Sequence, residues 1–280
     1  MARRWLQSPV VRRKIGLKEI GAGLTRNHRQ LGGAIITSKE LKLLTYNIQA
    51  GLNCTAFKDY FKTSLSQFLP SKPNFRHLAA IGEVLKPFDV IGLQELDAGS
   101  IRSGHINQLD SLAEHSHFSF RHQQLNRNLG RLGQYSNGLL SRFIPLSVED
   151  HRLPGLPGRG AIIADFALLD RTLTVCNVHL ALSEKARNRQ LSYLYRQLER
   201  RDALVLMGDM NCTIAEIQAS PLGQLELLQP TLDLPSYPSW QPVRAIDHIL
   251  VSANLDVVST EVITSSLSDH CPVALTLRPK

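Results

Sequence analysis

Seven short apolar runs in this chain each carry a carboxylate, an amide or an imidazole at one edge, and that habit restricts the folds open to it. "LKLLTYNI" (41–48) delivers Asn47, "FDVIGLQE" (88–95) delivers Glu95, and "YSNGLLS" (135–141) opens with Tyr135 and Asn137. "LTVCNVHL" (173–180) delivers Asn177 and His179, and "LVLMGDMN" (204–211) delivers Asp209 and Asn211. "AIDHILVS" (245–252) carries Asp247 and His248, and "SLSDHCPV" (266–273) carries Asp269 and His270. Runs of this length and apolarity read as strands. One polar ending is ordinary, because Asn and Asp open turns or cap helices. Seven of them ask for a fold that brings many strand ends to one edge.

Between the strands lie helical segments. "FRHLAAIGEVLK" (75–86) spaces Leu78, Ile81, Val84 and Leu85 for one helical face, and Pro87 stops it. A helix is expected near 107–115, and "EKARNRQLSYLYRQLER" (184–200) sets Leu191, Leu194 and Leu198 on one face. Further strands are expected at 118–124, 137–149, 161–168, 171–178, 245–251, 257–264 and 271–277. Residues 51–75, with Gly51, Pro70 and Pro73, read as an irregular loop, and "RLPGLPGRG" (152–160) as a breaker-rich one. Helices separated by pairs of strands fit a layered α/β sandwich better than a strictly alternating parallel fold. Neither G-x-x-x-x-G-K-S/T nor a post-strand G-x-G-x-x-G occurs.

If Glu95, Asp209, Asp247 and Asp269 converge, they repel one another and any phosphate unless a divalent cation or paired histidines neutralise them. Carboxylates, amides and imidazoles favour a hard ion, Mg²⁺ or Mn²⁺, over zinc held through Cys212, Cys271 and a histidine. His179 and His270 then remain to activate water or to donate to phosphoryl oxygens, with a neighbouring carboxylate setting the tautomer. The four cysteines (Cys54, Cys176, Cys212, Cys271) lack C-x-x-C spacing, which argues for reduced thiols in a cytosol-like compartment.

The motifs "TYNI", "LQE", "SNGLLSR", "GRGA", "NVHL", "GDMN", "IDHI" and "SDHCPV" occur in an order that resembles the endonuclease/exonuclease/phosphatase superfamily, metal-dependent phosphoesterases related to DNase I. The closest look is to small bacterial members of unassigned substrate. The resemblance spans about residues 41 to 277 and implies a four-layer α/β/β/α sandwich of two mainly antiparallel sheets. It implies Glu95 as the main metal ligand, with Asn47 nearby and Asp269 as a second ligand, holding Mg²⁺ or Mn²⁺. It further implies that Asp209 and Asn211 position water and phosphate, that His270 is the catalytic histidine oriented by Asp247, and that His179 is a second histidine. Asn47, Asn177, Tyr135 and Arg159 match positions that meet the phosphate; for Arg159 a structural salt bridge is the equal alternative. Gln49 departs from the acidic residue that some nuclease branches place there.

The expected activity is therefore hydrolysis of a phosphodiester or phosphomonoester, with DNA or RNA among the substrates. A phospholipid or phosphoinositide esterase, or a silent nucleic-acid-binding relative, is the alternative. Charge bears on this choice. Residues 1–42 hold ten basic side chains against Glu19 and Glu40, which accounts for the whole net charge of +8, while the remainder is balanced. Residues 1–40 thus read as a basic extension that raises affinity for polyanions, ahead of a catalytic domain at 41–280. The competing reading packs "VVRRKIGLKEIGAGL" as a short helix on the sandwich. A monomer is expected, with neither a secretory signal nor a run of about 18 apolar residues to cross a membrane.

Overall fold

The computed structural model describes residues 11–13, 35–51 and 75–279. Twelve strands form two six-stranded sheets. One holds β1 (Val11–Arg13), β6 (Ser147–Arg152), β7 (Gly160–Leu168), β8 (Arg171–His179), β9 (Ala203–Asp209) and β10 (Asp247–Val251) in that order. The other runs β11 (Leu255–Val262), β12 (Val273–Pro279), β2 (Leu41–Asn47), β3 (Val90–Asp97), β5 (Gln134–Ser141), β4 (Phe120–Asn128). Pairing is antiparallel except between β2 and β3 and between β8 and β9. Parallel neighbours need a crossover, and helices α1 (Phe75–Leu85) and α3 (Glu184–Leu198) lie on those two connections. Two further α-helices, α2 (Gln108–Ser116) and α4 (Ile214–Gln218), complete the set among the described residues.

Three apolar clusters make this a four-layer sandwich. Leu43, Val90, Ile162, Phe166, Val205 and Val273 belong to a cluster between the sheets. Leu191, Leu194, Leu198 and Ile214 pack with Ile163 and Leu206 on the outer face of one sheet. Leu78, Ile81, Leu85 and Leu112 pack with Tyr46 and Leu93 on the other. The helical faces expected from leucine spacing are thus the faces that pack.

Two expectations need revision. The run 137–149 is two strands in different sheets, because the chain turns at residues 142–146, where Pro145 cannot donate to a ladder. Residues before 41 are not all outside the sandwich: Val11–Arg13 pairs antiparallel with β6, and Ile36 is fully buried and donates its N–H to Ala167. The rest of the "VVRRKIGLKEIGAGL" segment, and most of the 51–75 loop, lie outside the described residues.

Gly208 is demanded by the parallel contact of β8 and β9. Its φ is 147°, and a Cβ there would sit 2.0 Å from the Val178 carbonyl oxygen. Backbone cannot yield as a flexible side chain can, so Gly208→Ala should lower Tm by several degrees, on the order of 2 kcal/mol or more. Melting followed by circular dichroism checks this.

Candidate active site

The register of the sheets assembles the site. Across β8, β9 and β10, His179 pairs with Asp209 and Asp209 with Asp247, so one row of the sheet carries all three. From the facing sheet, Asn47 ends β2 opposite Gln94. The β3–β5 ladder shifts register between Leu93 and Leu96, and Glu95 at that irregularity has φ 56°. Such a bulge re-aims a side chain, here the carboxylate of Glu95 into the cleft. Asn211, with φ 51°, turns the chain just after β9.

The resulting cleft has a volume of about 800 Å³, and Glu95, His179, Asp209, Asn211, Asp269 and His270 all line it. His270 stands between two carboxylates, with Nδ1 2.8 Å from Asp247 Oδ2 and Nε2 3.9 Å from Asp209 Oδ2. Asp247 Oδ2 also accepts from Ser236 Oγ at 2.5 Å. Asp209 Oδ2 accepts from Asn47 Nδ2 at 3.0 Å, and Asp209 Oδ1 from the Asn211 N–H at 3.0 Å. His179 Nε2 lies 3.3 Å from Asp209 Oδ2 and 3.7 Å from Glu95 Oε1, yet it has no well-formed hydrogen bond.

Burial would push the Asp209 carboxyl up, but the His179 contact and the His270 charge outweigh it and hold it well below the usual range. Burial would likewise push His270 down, and the Asp247 and Asp209 charges instead raise it well above an ordinary histidine. Asp269 goes the other way: burial, reinforced by the nearby Glu95 charge, raises its carboxyl to about 6. The cleft thus holds one carboxyl that the protein does not neutralise, beside a half-buried Glu95.

The donor set suits a hard cation. The Glu95 and Asp269 carboxylates share the cleft with Gln49, whose Oε1 is buried without a partner. Asp209, Asp247 and His270 also bring ligand atoms within 4.8 Å of one another, but those oxygens already accept from Asn47, Ser236 and His270 itself. That trio is a hydrogen-bonded relay more than a cation cup. Zinc through Cys212 and Cys271 does not fit, since neither cysteine lines the cleft and, among the described residues, the group of clustered ligand atoms includes no thiol.

Some expected residues play other parts. Asn177 does not reach the cleft: fully buried between the sheets, it accepts from Gln94 Nε2 at 2.7 Å and donates to the carbonyls of Leu93 and Gly138. Its amide takes the space a Cβ would need at Gly92. Asn47 spends its amide on Asp209 and the Gln49 N–H, which braces the site from beneath. Tyr135 lines the cleft with the Arg102 guanidinium 4.4 Å over its ring, itself bound to Asp97. Arg159 has no carboxylate in salt-bridge range among the described residues; its Nη1 lies 3.4 Å from His179 Nδ1 and 3.3 Å from the Gly158 carbonyl. The salt-bridge alternative is therefore set aside. His248 points away, towards the Cys212 carbonyl at 2.9 Å.

The motifs left out Tyr237, whose ring centroid is 4.8 Å from that of His270, and Arg244, 5.9 Å over the same tyrosine. Both come from the irregular stretch before β10, where no periodicity points to them.

The sequence profile of the Endonuclease/Exonuclease/phosphatase family matches residues 44–270. No curated protein matches the sequence. Among solved structures, an endonuclease/exonuclease/phosphatase from Beutenbergia cavernae is 18% identical with TM-score 0.67, over 86% of this chain and 72% of that one. A mannosyl-6-phosphatase from Bacteroides thetaiotaomicron is 16% identical with TM-score 0.65, over 85% and 99%. The human Nocturnin catalytic domain with bound sulfate is 17% identical with TM-score 0.62, over 85% and 94%. At such identities the likeness is one of fold.

Proposed function

The chain belongs to the Endonuclease/Exonuclease/phosphatase family, and from that membership and its cleft we propose that it is a divalent-metal-dependent phosphoester hydrolase using Mg²⁺ or Mn²⁺. One observation carries the reading: the three carboxylates of Glu95, Asp209 and Asp269, the Asn211 amide and the imidazoles of His179 and His270 line a single cleft, with His270 braced by Asp247.

Glu95 and Asp269, with Gln49 in the same cleft, are the residues that would hold the cation. When bound, such an ion lends positive charge to a phosphoryl oxygen and to the leaving oxygen. The rest falls to the chain. Asp209, held ionised, accepts a proton of the attacking water and orients it. Asn211 donates one amide hydrogen to the Leu180 carbonyl at 3.0 Å and has the other for a phosphoryl oxygen. Asp247 keeps the Nδ1 proton of His270 in place, leaving Nε2–H as the proton source for the leaving oxygen. His179 and Arg159 face the same phosphate.

Purified protein should hydrolyse bis-p-nitrophenyl phosphate or p-nitrophenyl phosphate in Mg²⁺ or Mn²⁺. Failure on both, and on DNA, RNA, inositol phosphates and sphingomyelin, would contradict the proposal.

A second consequence concerns pH. Asp269 is raised above its unfolded value, so the native state binds its proton more tightly and stability falls as pH rises from about 4 to about 6. A cation at Glu95 and Asp269 relieves that repulsion and competes with the proton. The rise in Tm on adding Mg²⁺ should be larger at pH 7.5 than at pH 5, as read by differential scanning fluorimetry; equal shifts would remove Asp269 from the site.

A further inference from the structure

Two segments at the mouth of the cleft share a composition that the hydrolytic reading does not use. "LNRNLGRLGQ" (125–134), the β4–β5 hairpin, and "RLPGLPGRG" (152–160), the β6–β7 loop, hold four arginines and no acidic residue. They also hold leucines turned to solvent: Leu132 is 64% exposed and Leu156 85% exposed, and across the mouth Leu182 is 73% exposed.

The two segments are contiguous. Leu125, Leu129, Arg127 and Pro157 line one hollow, and the Arg127 stem lies 3.9 Å from where a Gly158 side chain would begin. Leu156, Leu182, Arg127 and Arg159 line the mouth of the catalytic cleft itself. Arg127 and Arg131 are exposed, with no carboxylate in salt-bridge range among the described residues. Exposed leucines scattered singly mean little; leucines beside the exposed Arg127 and Arg131, with no acid in either segment, mark a surface built for a partner.

We propose that this rim docks on an anionic phospholipid bilayer, with the arginines at the headgroup phosphates and Leu132, Leu156 and Leu182 entering the headgroup–acyl boundary. Basic side chains beside an apolar tip are what such a surface attracts. A nucleic-acid backbone would satisfy the arginines equally well and leave three leucines without an apolar partner. The orientation would hold the cleft mouth against the membrane, so its substrates would be phosphoesters of lipid headgroups. That second step rests on the hydrolase reading; the docking does not.

The test is co-sedimentation of the full chain with phosphatidylcholine vesicles, with and without about a third phosphatidylserine, beside binding to a DNA duplex. Leu132→Ser/Leu156→Ser removes two of the three apolar tips and keeps every cation, including those of the N-terminal segment. Binding to the mixed vesicles should weaken by about tenfold or more, since two exposed leucines lose their burial in lipid, while DNA binding is unchanged. Arg127→Gln/Arg131→Gln should weaken binding to the mixed vesicles and steepen nothing on neutral ones. Both leucines are exposed, so Tm should hold; a fall in Tm transfers the comparison to the arginine pair, which must then lose vesicle binding with Tm intact. Vesicle binding unchanged by the leucine pair, or wild-type binding to DNA but not to vesicles, overturns the proposal. Binding is read without turnover, so an inactive enzyme leaves the result intact.

Discussion

Asp209→Asn protein should hydrolyse its phosphoester with kcat lowered about a thousandfold, the scale of losing a group that stabilises charge only in the transition state. The change is nearly isosteric and removes one charge. It is large because Asp209 is where the site's contacts meet: His179, Asn47, the Asn211 N–H and His270 all address this one carboxylate. A neutral amide still accepts from Asn47 but cannot hold water as a proton acceptor, and it removes from His270 the second of the two carboxylate charges that raise its pKa. Because the native carboxyl is depressed below its unfolded value, Asp209 stabilises the fold above the unfolded pKa, and that contribution is lost as pH falls. The variant should therefore be less stable than wild type at neutral pH and closer to it in acid. Retained activity in a folded variant would move the water-orienting role elsewhere.

His270→Ala should cost about a hundredfold or more in kcat, with KM changed much less. The informative companion is Asp247→Asn. Asp247 sits behind His270 with its Oδ2 2.8 Å from Nδ1, and its charge is the leading cause that raises the imidazole against burial. Raised in this way, His270 keeps its proton to higher pH than an ordinary histidine and acts as a proton donor until pH rises through its folded value. Removing the Asp247 charge lowers that value, so the alkaline limb of the kcat profile should shift to lower pH while the acid limb stays. A uniform loss of rate with no shift would mean that Asp247 only positions the ring. The same linkage predicts that His270 stabilises the fold at low pH and ceases to do so as pH rises through its raised pKa.

Much of where these residues lie was legible in the sequence, for a physical reason. Strand ends that carry Glu95, Asp209, Asp247 and His270 have no use in a core, and a two-sheet sandwich is the arrangement that gathers them. Periodicity placed α1 and α3 because their leucines face one sheet each. Side-chain direction was less legible. Asn177 and His179 are two apart on β8 and share a face, yet His179 reaches the cleft and Asn177 stops one rung deeper, against Gln94. A polar residue at a strand end looks the same in sequence whether it braces two sheets or meets a ligand. Tyr237 and Arg244 carried no pattern, since irregular backbone delivers them; Gln49 was marked in the sequence only as a departure from an acidic residue, and the cleft shows its Oε1 buried without a partner. Pro145 marked the break in 137–149, but only the pairing of β5 with β3 and of β6 with β7 shows that the chain changes sheets there.

Metal-dependent phosphoester hydrolysis through Asp209 is the activity proposed for this cleft. The most direct measurement is the initial rate on bis-p-nitrophenyl phosphate, or whichever ester in the panel is turned over, for wild-type and Asp209→Asn protein side by side, before EDTA, after EDTA and after Mg²⁺ is restored. Wild-type activity should disappear with chelation and return with the ion, while the variant stays near background throughout. Turnover that survives chelation, or that is the same in both proteins, would contradict the proposal.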